Sequence, residues 1–274
     1  MLGSAVIVFR ETLEAALIIA IVLGASRGLP ARMRWVFSGV GLGLAGSVVV
    51  AFFAGTIADA AQGRGQELFN AGVLLVAVSM LAWHNIWMSG HARKHAAEMQ
   101  SLGHDVLTGS KPLSAMLLVT ALAVLREGAE TVLFLYGLFA GGADHMDLLL
   151  GSLLGLAGGT TIGALLYFGL VRIPLGKFFK VTGLIVLLLA AGLAASAANY
   201  LVQANLLPVL AEEVWDSSAL LSMESMPGRI LHVLIGYVDR PSGIELVFYL
   251  VTLAFIGGMM RYMAARPVAK PAAA

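Results

Sequence analysis

Arg10-Glu11-Thr12-Leu13-Glu14 lies inside one long apolar stretch, and Arg126-Glu127-Gly128-Ala129-Glu130 lies inside another. Hydrocarbon tolerates a bare carboxylate poorly, so four glutamates in such surroundings need pairing, water or a cation. Residues three or four positions apart share a helix face, so Glu11 and Glu14 project the same way, as do Glu127 and Glu130. Arg10 stands one turn before Glu14, and Arg126 one turn before Glu130. Four carboxylates against two guanidinium groups keep a formal charge of −2 even when both arginines are paired. Carboxylate oxygens of that excess suit a hard metal cation, with no need of imidazole or thiolate. Two other roles stay open on the residues alone: buried ion pairs that hold a helix bundle together, and a metal-free proton relay.

The rest of the composition agrees with a membrane setting. Of 274 residues, 59% are hydrophobic and 12% charged, against about 25% charged in ordinary soluble domains. The absence of cysteine excludes disulfides and thiolate-bound metals. No basic stripe with interleaved aromatics points to nucleic acid. No His-Glu-x-x-His or nucleophile motif points to an enzyme, and none is expected. Met1 leads straight into apolar sequence with no basic n-region, and Arg10 and Glu11 interrupt any h-region, so a cleaved signal peptide is not expected.

Seven stretches are long enough to cross a bilayer, at about 20 residues each: 3–26, 35–58, 67–88, 113–140, 148–170, 179–202 and 244–263. None alternates as a barrel strand would, so the expected class is all-α and polytopic. Basic links alternate with poor ones. Arg27, Arg32 and Arg34 follow the first span; Arg93, Lys94 and Lys111 follow the third; Arg172, Lys177 and Lys180 follow the fifth; Arg261, Arg266 and Lys270 end the chain. Only Arg64 lies between the second and third spans, and Asp144 and Asp147 lie between the fourth and fifth. The positive-inside rule then predicts an outside N-terminus and a cytoplasmic C-terminus. The run Gly39 to Gly46 parallels Gly151 to Gly158, so spans 1–3 (about 1–88) repeat as spans 4–6 (about 113–202). Three spans per unit make the units inverted, a transporter design with its site between the repeats. The glycines of spans two and five are expected to pack on the pentad helices. A single transmembrane transport domain over 1–264 is expected, with an extracytoplasmic segment at 203–243, a last helix at 244–263 and a cytoplasmic tail at 265–274.

Lesser features complete the reading. The link 89–112 is expected to hold a short cytoplasmic helix. Val209 to Leu221 reads as a helix, and the apolar segment 230–238 is too short to span, so it packs back against the bundle or dips into it. His84, near the end of span three, is a candidate exit-side ligand; an interface histidine is the plainer reading. Glu67, Glu212, Glu213, Asp216 and Glu224 are candidates for cation capture outside, against the plainer reading of solvated acidic loops. His91 and His95, one turn apart, support only a weak metal claim.

Arg-Glu-x-x-Glu in spans one and four resembles the oxidase-dependent iron permease family, which includes yeast high-affinity iron permeases and the bacterial iron permeases of tripartite uptake systems. Glu67-Leu68-Phe69, Trp83 through Met88, Phe178-Phe179-Lys180, Ala190 through Ala195 and Trp215 through Ser222 resemble further parts of it, so the likeness covers nearly the whole chain. It implies an importer in the cytoplasmic (inner) membrane, with iron (Fe3+ or Fe2+) as cargo and no tightly bound cofactor. It also implies an oxidase or cupredoxin-like partner at the outer face. Glu11, Glu14, Glu127 and Glu130 would handle iron, Arg10 and Arg126 would neutralise and orient them, and Asp216 would match an outer acidic residue. Thr12 stands where the family usually has Gly, and Asn70 where some relatives have an acidic residue. Some lead-uptake proteins resemble the family too, so lead or manganese is the alternative cargo, and a structural or adaptor membrane protein the alternative role.

Overall fold

The computed structural model describes residues 1–60, 65–169 and 175–265, with side chains placed at all of these but 57–60, 90–100, 103, 175–178, 233 and 264. Arg64, Arg172, Arg266, Lys270 and the tail beyond residue 265 therefore lie outside the described residues. Eight helices follow in order among the described residues: α1 Leu2–Ala25, α2 Arg32–Ala60, α3 Gln66–Leu107, α4 Ser114–Ala140, α5 His145–Tyr167, α6 Leu175–Gln203, α7 Met226–Ile235 and α8 Gly243–Ala265. No strand occurs among the described residues. Pro30, Pro112, Pro208 and Pro241 all fall between helices, where a missing N–H breaks no ladder. Asp144 caps α5 by accepting from the Met146 amide at 2.9 Å, and Ser225 caps α7 by accepting from the Gly228 amide at 3.1 Å.

Among the described residues, five helices are long and apolar enough to cross a membrane: Arg32–Thr56, Gln66–Ser89, His145–Tyr167, Phe179–Gln203 and Gly243–Met263. Helices α1 and α4 have the length, 24 and 27 residues, but each carries a charged pentad at its middle. Leucines, valines and phenylalanines such as Val48, Phe52, Leu154, Val251 and Phe255 stand exposed on the outer helices. An exposed apolar belt of that extent fits a lipid surround. The chain is an all-helical, multi-pass membrane protein.

Glycine stripes fix how the bundle is knit. A Cβ on Gly155 would come within 2.6 Å of the Ala5 carbonyl, and one on Gly43 within 2.7 Å of the Ala121 carbonyl. Gly151, Gly155, Gly159 and Gly163 climb α1 from Ser4 to Ala16, while Gly39 and Gly43 climb α4 from Leu117 to Leu125. The expectation that these stripes pack on the pentad helices is met, with each pentad helix gripped by the second helix of the other half. The same contacts show α1 running with α5 and α2 running with α4.

Other contacts set the remaining directions. Asn85 meets Gly183, while Ala77 and Leu193 both flank Gly137, so α3 opposes α6. Asn199 meets Glu245 and Gly183 approaches Met260, so α6 opposes α8. Val22 and Leu23, late in α1, share a buried cluster with Val36, Val106 and Met116, at the starts of α2 and α4 and the end of α3. The long helices thus alternate in direction along the chain, and the two three-helix halves are inverted. The larger core, built on Ile7, Leu81, Phe134, Leu138, Ala190, Leu193 and Ile256, joins α1, α3, α4, α6 and α8.

Two local expectations change, and one of two alternatives for a third segment is met. The helix in 89–112 is no separate element: α3 continues unbroken for 42 residues to Leu107, where Val106 is buried against the ends of α1, α2 and α4. Val209 to Leu221 forms turns rather than a helix. The Asp216 carboxylate takes the Ser218 amide at 2.9 Å and its hydroxyl at 2.6 Å, a side-chain capture that competes with helical bonding. The amides of Val214 and Ser217 donate instead to the carbonyls of Pro241 and Asp239. The apolar segment at 230–238 is covered by α7 up to Ile235 and packs back against the bundle. Its closing Gly236 has φ +70° and lies on Gly192, where a Cβ would come within 2.7 Å of the Gly236 Cα. Gly192 is about three turns inside the end of α6.

Candidate metal site

Both pentads sit midway along their helices and face each other across the α1–α4 contact. The Arg10 Nε donates to Glu14 Oε1 at 3.0 Å, and the Arg126 Nε donates to Glu130 Oε1 at 3.0 Å. The i,i+4 pairing read from the sequence is therefore present twice. Glu11 and Glu127 are left as the unneutralised members, although Arg126 Nε stands 4.0 Å from Glu127.

Glu11, His84, Glu127 and Glu130 each offer a ligand atom, and these atoms all lie within 4.8 Å of one another. Glu11 Oε2, Glu127 Oε2, Glu130 Oε2 and both nitrogens of His84 are buried without an aligned hydrogen-bond partner. Such groups are costly to bury unsatisfied. Several of them converging on one small volume is what a cation cage needs. His84 Nδ1 contacts Glu130 Oε2, and His84 Nε2 lies 3.5 Å from Glu14 Oε2 and 3.9 Å from Glu11 Oε2. The structure thus places His84 among the pentads, not beyond them at an exit.

The surroundings of the two pentads differ. Arg10 NH1 donates to Asn85 Oδ1 at 3.0 Å, and Asn85 Nδ2 donates to the Gly183 carbonyl at 3.2 Å. Arg126 instead lies over the Trp87 ring, 4.8 Å from its centroid, a cation–π contact. Beside it an open, mostly apolar groove of about 370 Å³ follows α3 along Leu75, Val76, Ser79, Met80 and Trp83 to His84 and Glu130. It extends from the cluster about 14 Å toward the start of α3.

The outer candidates are not part of this cluster. Glu67 is exposed in the first turn of α3, about 25 Å along the helix from His84. Glu212 and Glu224 are exposed. Glu213 and Asp216 share Arg240, at 3.5 Å and 3.0 Å, so part of their charge is already met. Hydrogen bonds from the Ser218 hydroxyl and amide, and then Arg240, hold the Asp216 carboxyl below the usual carboxylate range. All five lie at the end of the bundle where α3 and α8 begin. The side chains of His91 and His95 lie outside the described residues.

Sequence reasoning missed Asn85, which ties α1, α3 and α6 together at 3% exposure. The available signal was two adjacent polar residues, His84 and Asn85, inside an apolar span. It also missed the fit around Thr12 and Gly128. A Cβ on Gly128 would run into Ser47, and Gly159 leaves room for Thr12.

Fold and site together define a multi-pass membrane protein with a buried cluster of carboxylates and one imidazole between its two halves. Residues 1–268 match the iron permease FTR1 family, and the chain belongs to that family. It is 34% identical over 252 residues to a ferrous iron permease EfeU of Escherichia coli O6:H1 (strain CFT073), covering 90% of each chain. The same identity and coverage hold for a putative inactive ferrous iron permease EfeU of Escherichia coli K12. A ferrous iron permease EfeU of Shigella flexneri is 36% identical over 189 residues, covering 69% of this chain and 80% of its own. No solved structure matches the chain.

Proposed function

We propose that this protein imports iron across the cytoplasmic membrane through the cluster where its two pentads meet. The observation that carries the reading is the convergence of unpartnered, buried oxygens of Glu11, Glu127 and Glu130 on one point from opposite halves of the bundle. With Arg10 set against Glu14 and Arg126 against Glu130, two carboxylate charges remain to offset an iron cation. Family membership and the permease relatives support iron as that cation and a transporter rather than an enzyme.

In this reading α1 and α4 cross the bilayer with the five apolar helices, giving seven spans with the N-terminus outside. Glu67, Glu212, Glu213, Asp216 and Glu224 then share the outer face, and the groove along α3 points from the cluster toward them. Iron is gathered there, after oxidation by an outer partner, and descends beside α3 to the glutamates. The inverted halves supply two faces that can rock about the site and expose it alternately. Arg10 and Arg126 keep the carboxylate excess from holding the ion too tightly to leave. Glu14 belongs to the same iron-handling set.

The test is uptake of radioactive iron into cells or liposomes, with Glu11, Glu14, Glu127 and Glu130 changed singly to Gln. Uptake is expected to fall to near background for Glu11→Gln and Glu127→Gln. Undiminished uptake in all four folded variants would sink the site. Competition by manganese or lead in the same assay sets the metal preference.

A further inference from the structure

We infer that His84 is a direct ligand of the transported metal, and that Glu14 is not a ligand but the residue that orients His84. The inference rests on the site proposed above and divides its members. It makes the two Arg-Glu-x-x-Glu motifs unequal despite their shared sequence.

Geometry on the two sides of the imidazole carries the argument. His84 is 2% exposed, and neither of its nitrogens has an aligned hydrogen-bond partner. Nδ1 contacts Glu130 Oε2, itself unpartnered and within the cluster with Glu11 and Glu127. A cation bound by these three carboxylates therefore has an imidazole nitrogen at hand. Binding through Nδ1 leaves the ring proton on Nε2. The carboxylate nearest to Nε2 is Glu14, at 3.5 Å, closer than Glu11 at 3.9 Å. Metal-bound histidines ordinarily give their other N–H to a carboxylate or carbonyl, which fixes tautomer and ring orientation.

Glu14 is built for that supporting place. It falls outside the group of converging ligand atoms. Its Oε1 is held by Arg10, Arg10 is held by Asn85, and Asn85 is anchored on the Gly183 carbonyl of α6. The buried chain Gly183–Asn85–Arg10–Glu14–His84 thus runs from α6 to the metal position. Glu130 has the same bond from its own arginine, yet Arg126 is 37% exposed and rests on Trp87, with no amide behind it. Glu130 Oε2 meets Nδ1 inside the group of converging ligand atoms, and Glu14 Oε2 faces Nε2 from outside that group. Three carboxylates and one imidazole also form a less purely hard site than four carboxylates. Such a donor set favours first-row transition cations over calcium or magnesium.

X-ray absorption at the iron edge tests the assignment, on the full chain purified with a histidine-free tag and loaded anaerobically with Fe2+. Imidazole scattering is expected in the unaltered protein and in Glu14→Gln, whose amide oxygen still accepts from Nε2. It should vanish from the iron retained by His84→Gln. Glu14→Gln should weaken binding about tenfold, within the 10–100-fold usual for outer-shell partners, and Glu130→Gln should remove an oxygen from the iron shell. Iron that is bound and lost with Glu127→Gln, but shows no imidazole in the unaltered protein, would overturn this inference and leave the site intact. An oxygen lost from the shell in Glu14→Gln would overturn the division of roles. Iron binding indifferent to Glu127→Gln would overturn the underlying site.

Discussion

The two pentads have the same spacing and the same 3.0 Å bond from arginine to the second glutamate, but they occupy different surroundings. Arg10 is 2% exposed and held by an amide, while Arg126 is 37% exposed and lies on an indole beside a groove. The repeat specifies the pairing within each helix. The third helix of the first half, which passes between both pentads, specifies the inequality. Because α3 brings His84 and Asn85 to the meeting point, one pentad becomes enclosed, and the other stays next to an open groove.

The largest effect that tests this inequality is on stability. Arg10→Ala leaves Glu14 and Asn85 buried without their partner, a change that costs about 3–5 kcal/mol in comparable buried pairs. Arg126→Ala is expected to cost less, because Arg126 is 37% exposed and strands no buried amide of the kind that Arg10 holds in Asn85. Thermal unfolding in one detergent should therefore show a much larger drop in Tm for Arg10→Ala. Equal drops would mean that the two arginines are held alike.

The next effect concerns the residue between the glutamates. Thr12 fills the space beside Gly159, and Gly128 leaves space filled by Ser47. The glycine of the second pentad is thus replaced by Thr12 in the first, with a matching glycine, Gly159, on α5, so the bulk has moved from one helix to the other. Thr12→Gly should open a gap and Gly159→Ser should overpack. The double variant should recover stability, with a coupling of about 0.5–3 kcal/mol. Additive losses in the unfolding of the three variants would break the idea of a compensated pair.

The smallest effect lies outside the membrane. Asp216 is held below the ordinary carboxylate range by Ser218, so its contribution is present above that range, near pH 4. It is lost as pH falls through the depressed folded value. Fluorescence of the neighbouring Trp215 should stay flat from pH 7 to about 4 and change only below it. A change centred above pH 5 would contradict the Ser218 contact.

Much of this was legible in the residues. Apolar runs bounded by proline gave the long helices, i,i+4 spacing gave both ion pairs, and glycines four apart gave the tight contacts of α2 and α5 on the pentad helices. What was not legible depended on register between helices. The position of His84 follows from how far α3 slides along α1 and α4, and no local pattern encodes that. Asn85 looked like part of an aromatic span end because its partners, Arg10 and Gly183, are far away in sequence. Val209 to Leu221 looked helical by its apolar content, but its amides were taken by Asp216 and by the carbonyls at 239 and 241.

The central claim is that the halves build one site between them, not one site each. Equilibrium binding of Fe2+ to the purified chain under anaerobic conditions tests it most directly. One tight ion per chain is expected, lost with Glu11→Gln alone and equally with Glu127→Gln alone. Two tight ions per chain, with each substitution removing only one, would contradict it.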